Sequence, residues 1–136
     1  MRVLFVIPKN RFSFFGYKDV SPLTFPHLGV AYLIAFLKHN NIEVALYDDG
    51  WGYPSSRLFK LIEEFKPDLI GITIFTLSSP FAYELIAKIK KQADIPIVVG
   101  GVHVSTIKKS ILDETLADFA IKYEGEYALL ELVNEL

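Results

Sequence analysis

The 136-residue chain has no cysteine, which excludes disulfides, thiolate metal sites, iron–sulfur ligation and a cysteine nucleophile within it. It has no basic run, and its formal net charge is −2. It therefore lacks the electrostatic footprint of a nucleic-acid binder. The apolar run inside Met1-Arg2-Val3-Leu4-Phe5-Val6-Ile7-Pro8 is too short for a signal peptide or a membrane span, so a soluble, cytoplasmic chain without membrane contact is expected. Several site motifs are missing as well. A dinucleotide site needs G-x-G-x-x-G after the first strand, where only Gly16 and Gly29 stand, so Asp48 alone is a weak ribose signal. There is no Walker lysine motif and no Thr/Gly-rich phosphate loop of the flavodoxin kind. A receiver domain needs an aspartate at the end of the third strand, where this chain has Ile74 and Phe75. No Ser-His-Asp arrangement is assembled by any sequence signal.

Apolar residues make up 51% of the chain and charged residues 22%. That is enough to build a full core at a length typical of one domain. Residues 1–136 are read as a single domain without repeat, low-complexity segment or linker. The carboxy-terminal half is the more acidic, which fits a solvated surface. Five β-rich apolar runs alternate with helical patterns: Val3 to Ile7, about Glu43 to Tyr47, Asp68 to Ile74, Ile95 to Val99, and a shorter one near Phe119 to Ile121. Continuous rather than alternating apolarity is the mark of strands covered on both faces.

Helices are predicted between the strands. His27 to Asn40 is apolar on most sides, and deep packing is expected. Leu58, Leu61, Ile62 and Phe65 form one apolar stripe, as do Ala82, Leu85, Ile86 and Ile89, and again Leu129, Leu132, Val133 and Leu136. Ser79 is read as the N-cap of the third helix with Pro80 at its first position. A short, poorly patterned helix is expected from about Thr106 to Glu114. Five β-then-α units imply an α/β three-layer fold with a parallel sheet and right-handed crossovers. Of the two common doubly wound orders, 3-2-1-4-5 and the flavodoxin-like 2-1-3-4-5, five strands ending in a helix favour the second, a Rossmann-like architecture.

The connection from Pro8 to Pro26 is long and carries Phe12, Phe14, Phe15 and Tyr17. Such a cluster is expected to cover a ligand, meet another domain, form a homo-oligomer contact or fold back onto its own domain. In open parallel sheets, ligands bind outside the carboxyl ends of the strands. The residues there are Pro8-Lys9-Asn10, Asp48-Asp49-Gly50-Trp51, Phe75 to Ser79, Gly100-Gly101-Val102-His103 and Tyr123-Glu124-Gly125-Glu126. Paired glycines let a flat or bulky ligand lie against the backbone and permit positive φ. Thr73, Thr76, Ser78 and Ser79 place hydroxyls before a helix N-terminus, suited to polar atoms or simply to capping. His27, His39 and His103 share no metal-ligand spacing. His39 is read as facing solvent at a helix end, while His103 and His27 stand near the ligand edge.

Ordered along the chain, several segments resemble the cobalamin (B12)-binding domain at the N-terminus of many radical S-adenosylmethionine enzymes. They are Arg2 to Pro8, Phe25-Pro26-His27-Leu28-Gly29-Val30-Ala31-Tyr32-Leu33, Pro67 to Thr73, Val98-Val99-Gly100-Gly101-Val102-His103, Asp118-Phe119 and Glu124-Gly125-Glu126. The resemblance implies a corrinoid at the sheet's carboxy edge with its nucleotide tail threaded into the domain. Its implied contacts are Thr73, Phe75, Thr76, Leu77, Ser78, Gly100, Gly101, Val102, His103, Tyr123, Glu124 and Gly125. The D-x-H-x-x-G segment that supplies an axial histidine in cobalamin mutases is absent after the first strand, so base-off cobalamin without an axial histidine is expected. No catalytic residue and no protein metal ligand is assigned. The radical module's C-x-x-x-C-x-x-C is also missing. S-adenosylmethionine and a 4Fe-4S cluster would then belong to a separate radical domain, in cis or in trans, and the chain alone is not a complete enzyme. A methyl carrier positioned over that domain is the leading expectation. The alternatives are a non-catalytic interaction domain of the same fold that has lost the cofactor, and a small α/β domain binding another nucleotide.

Overall fold

A computed structural model describes residues 1–9, 27–51, 54–107 and 110–136. The aromatic cluster Phe12, Phe14, Phe15 and Tyr17, together with Asn10, lies outside the described residues. Five parallel strands form one sheet in the order β2-β1-β3-β4-β5: β1 (Arg2–Ile7), β2 (Glu43–Asp48), β3 (Leu69–Thr73), β4 (Ile97–Gly100) and β5 (Phe119–Ala120). This is the flavodoxin-like order expected from five βα units. The strand ends differ from the sequence reading by one or two residues. The fourth starts at Ile97 rather than Ile95 because Pro96 has no N–H to give the ladder, although its carbonyl still accepts from Ile70 N–H at 2.9 Å.

Helices cover both faces. Helices α1 (Leu28–His39) and α6 (Glu126–Glu135) lie on one side, where Val30, Leu37, Leu129 and Val133 pack with Val3, Phe5, Leu69 and Val98. On the other side α2 (Ser55–Phe65), α3 (Ser79–Gln92), α4 (Val102–Ile107) and α5 (Ser110–Glu114) pack on Leu4, Val6, Ile70, Ile72, Ile97 and Val99. Successive strand residues point to opposite faces, so the strands must be apolar throughout.

Three expectations about the helices need correction. The expected deep packing of the first helix is confined to Val30 and Leu37, because only one stripe of α1 meets the sheet. Leu28 and Tyr32 are 77% and 65% exposed. The helix expected from Thr106 to Glu114 starts earlier, with α4 beginning directly after Gly101, and α5 ends where expected, at Glu114. Ser79 is not the N-cap of α3. A 3-10 turn, Thr76–Ser78, runs straight into the helix, so Ser78 takes the cap position and the Ser79 hydroxyl donates to Thr76 O at 2.9 Å.

Two carboxylates fasten the amino edge of the sheet. Asp68 Oδ2 accepts from Arg2 N–H at 2.7 Å, and Asp118 Oδ2 accepts from Ile97 N–H at 2.7 Å while pairing with Lys90 at 2.7 Å. These carboxylates pin the starts of β1 and β4.

Candidate functional site

A cleft of about 640 Å³ opens at the carboxy edge and runs down between the sheet and the α1/α6 layer. Its floor and walls are apolar, with Phe5 and Val98 from the strands, Val30 and Leu33 from α1, and Leu129 from α6. Its rim carries His27, Thr73, Phe75, Val102, Tyr123 and Glu124.

The glycines explain why the cleft exists. Among the described residues, a Cβ on Gly29 would meet nothing within 4 Å, and one on Gly100 would touch only Ile121 O at 3.6 Å. A Cβ on Gly125 would make ordinary contacts of 3.5 and 3.6 Å with Ile121 and Leu33. All three line the cleft, and neither crowding nor backbone conformation demands glycine at any of them. A glycine inside a helix or strand costs roughly 0.5–1 kcal/mol relative to alanine. Gly29, inside α1, and Gly100, in β4, carry that cost where the fold has room for a side chain, which points to space reserved for something else, whereas Gly125 is the N-cap of α6, a position that suits glycine. Gly71 differs: its Cβ would stand 3.1 Å from the Phe5 ring, so it serves the packing of the cleft floor.

Gly101 has another role. It turns the chain from β4 into α4 with φ at +101°, and a Cβ there would lie 2.8 Å from Ile74 O and 3.0 Å from Thr73 Oγ1. The turn brings the backbone of Gly101 against the end of β3, where Ile74 N–H donates to Gly100 O at 2.8 Å and His103 N–H donates to Ile74 O at 3.1 Å. The expected pair Gly100-Gly101 therefore divides its labour: one glycine opens the wall, and the next makes the turn.

Of the residues expected at a ligand, Thr73, Phe75, Gly100, Gly101, Val102, Tyr123, Glu124 and Gly125 line the cleft together. Thr76, Leu77, Ser78 and His103 do not. Ser78 is buried and bonds back to its own turn, accepting from Phe75 N–H at 3.2 Å and donating to Phe75 O at 3.1 Å. His103 is buried on the opposite face of the sheet, because the Gly101 turn carries it behind β3. Its Nδ1 lies 3.3 Å from Thr76 Oγ1 and its Nε2 3.1 Å from the Tyr83 hydroxyl, which in turn donates to Glu114 at 3.1 Å. Tyr83 has one proton and Glu114 takes it. In the neutral ring His103 Nε2 must then donate to Tyr83, and Nδ1 accepts from Thr76. Burial, and then the Glu114 carboxylate, raises the Tyr83 phenol above its ordinary range. The network supports the rim from behind.

Sequence reasoning missed the cleft's inner half: Phe5, Gly29, Val30, Leu33 and Leu129. An isolated Gly71 within an apolar strand was the available signal, since such glycines mark close approach. Ser105 was also missed. Its hydroxyl donates to Gly101 O at 3.2 Å and accepts from Tyr123 N–H at 2.9 Å. Tyr123 has φ at +61°, a conformation costing roughly 1–3 kcal/mol for a bulky residue. His27, half-buried at the rim, tilts against Phe75 with ring centroids 5.5 Å apart. Among the described residues no cluster of His, Asp or Glu is arranged to hold a bare metal ion, and no helix is long and apolar enough to cross a membrane.

A corrinoid is broad and flat, with apolar faces, amide-bearing edges and a narrow nucleotide tail. An apolar slot with glycines in its wall and a partly polar rim fits such a group. Comparisons with known proteins agree. The family model described as "B12 binding domain" matches residues 16–133. An uncharacterized methyltransferase of Pyrococcus horikoshii, PH0819, is 32% identical over 140 residues, covering all of this chain and 29% of that protein. The cytidylyl-2-hydroxyethylphosphonate methyltransferase of Streptomyces wedmorensis is 28% identical over 142 residues, with 87% of this chain and 26% of that protein covered. The chain thus spans under a third of the length of these relatives. Among solved structures, the radical S-adenosylmethionine methyltransferase TsrM of Kitasatospora setae superposes with a TM-score of 0.80 at 22% identity, covering 98% of this chain and 25% of TsrM. The cobalamin-dependent S-adenosylmethionine radical enzyme OxsB, solved with aqua-cobalamin, gives 0.76 at 23% identity, covering 98% of this chain and 18% of OxsB. A cofactor-free interaction domain is not favoured. The chain belongs to the B12-binding domain family, and it shares its fold with the matching regions of TsrM and OxsB.

Proposed function

We propose that this domain is the amino-terminal cobalamin-binding module of a longer, cytoplasmic radical S-adenosylmethionine methyltransferase. The observation that carries the reading is the stretch of cleft wall made by Gly29 and Gly100, where the described residues leave room for a side chain. The apolar slot between the sheet and the α1/α6 layer would hold the nucleotide tail of a base-off corrinoid. Phe5, Val98 and Leu129 exclude water from that tail. Thr73, Glu124 and the backbone of Gly101 would hold the amide edges of the corrin ring, and Phe75 and Val102 its apolar face, since all five line the cleft. Cobalamin, when bound, supplies a cobalt centre able to carry a methyl group. The domain's own residues bind and orient it and supply no catalytic group. The iron–sulfur cluster and S-adenosylmethionine belong to a radical domain that faces the rim in cis or in trans, consistent with a chain that contains no cysteine.

The test is retention of hydroxocobalamin. Purified protein mixed with the corrinoid at micromolar concentration and passed over gel filtration is expected to elute with the visible corrinoid spectrum at near one equivalent. Elution without colour would overturn the reading.

A further inference from the structure

The turn after β5 holds a strained residue fastened by a side chain outside the cleft. Tyr123 stands at φ +61° with 71% of its surface exposed and lines the rim. Left-handed backbone is unusual for a bulky side chain, so something must keep it there. Its N–H donates to Ser105 Oγ at 2.9 Å, and the same hydroxyl donates to Gly101 O at 3.2 Å. Ser105 sits on α4 and is absent from the cleft lining. One hydroxyl thus uses its proton on the turn after β4 and a lone pair on the turn after β5, tying together the two segments that flank the glycine wall. Cut that tie and the Tyr123 backbone is free to relax to the ordinary negative-φ region, which swings the phenol away from its place beside Glu124 and Gly125.

We propose that Ser105 is a positioning residue for the corrinoid, holding Tyr123 in its left-handed conformation so that the phenol forms a fixed wall of the rim. The proposal rests on the cobalamin reading above. It assigns to Tyr123 the direct contact with the ligand's edge, and to Ser105 an effect exerted wholly through that contact. The strain at Tyr123 is part of the device, because a relaxed turn would let the rim adopt many widths, whereas the fastened turn presents one.

A double-mutant cycle on hydroxocobalamin affinity, with Ser105→Ala, Tyr123→Ala and the two combined, tests this. Ser105→Ala is expected to weaken binding about tenfold, equivalent to about 1.4 kcal/mol, while the thermal midpoint of the ligand-free domain stays within a few degrees of the parent. In the Tyr123→Ala background the same substitution is expected to cost nothing further. Additive losses would overturn the proposal, as would a Ser105→Ala variant that binds like the parent or one whose affinity loss merely follows a collapse in stability. If the parent domain itself retains no corrinoid, the cobalamin reading falls and this proposal with it. If the parent binds and the cycle is additive, only the role of Ser105 is lost.

Discussion

Gly101→Val is expected to lower the stability of the ligand-free domain more than any other change to the cleft. The position has φ at +101°, and a Cβ there would sit 2.8 Å from Ile74 O and 3.1 Å from Ile74 N. Those neighbours are backbone atoms of the end of β3, which are fixed by the bonds Ile74 N–H to Gly100 O and His103 N–H to Ile74 O. They cannot swing aside as a side-chain tip would. Backbone strain of roughly 1–3 kcal/mol and overpacking of about 1–3 kcal/mol therefore act together on a domain whose total stability is on the order of 5–15 kcal/mol. Urea unfolding followed by far-ultraviolet circular dichroism reads this as a clear fall in midpoint at similar slope. A midpoint equal to the parent's would mean that the turn from β4 into α4 is not held as described.

One residue earlier the outcome reverses. Gly100→Ala is expected to leave the fold intact or to stabilise it by roughly 0.4–1 kcal/mol, since a compatible backbone gains from a less free unfolded chain. Its Cβ meets only Ile121 O at 3.6 Å, and the residue pairs in register with Thr73 without positive φ. Its side chain would project to the same face as Val98, into the slot. Corrinoid affinity is expected to fall at least tenfold, about 1.4 kcal/mol, and Gly100→Val is expected to abolish retention on gel filtration. A folded Gly100→Val domain that still carries corrinoid would show that the ligand does not use this wall. Adjacent glycines with opposite phenotypes, one failing in stability and the other in binding, would separate the needs of the fold from those of the ligand.

Much of this architecture is legible in the residues because burial on both faces imposes a simple rule. Strands β1, β3 and β4 must be continuously apolar, and Leu69 to Thr73 or Ile97 to Gly100 read as nothing else. The stripes Leu58–Ile62 and Ala82–Ile86–Ile89 likewise announce their buried sides. What stayed hidden depended on direction. An apolar α1 looks fully buried, yet Tyr32 and Leu28 point outward, because composition does not say whether a second layer exists. His103 follows the ligand-edge glycines in sequence, but the positive φ of Gly101 rotates it behind the sheet to Thr76 and Tyr83. The inner cleft was hidden for the opposite reason: Phe5, Val30 and Leu129 look like ordinary core, and only the glycines beside them show that the packing stops short. Ser105 could not be found at all, since its partners Gly101 and Tyr123 meet it only through the fold.

The proposed function needs the slot between the sheet and the α1/α6 layer to take the nucleotide tail of the corrinoid. Calorimetric titration of the domain with hydroxocobalamin and with cobinamide, which has the same corrin ring and no nucleotide tail, tests it most directly. The account predicts that the complete cofactor binds about a hundredfold more tightly, or two decades at about 1.4 kcal/mol each. Equal affinity for the two would contradict it.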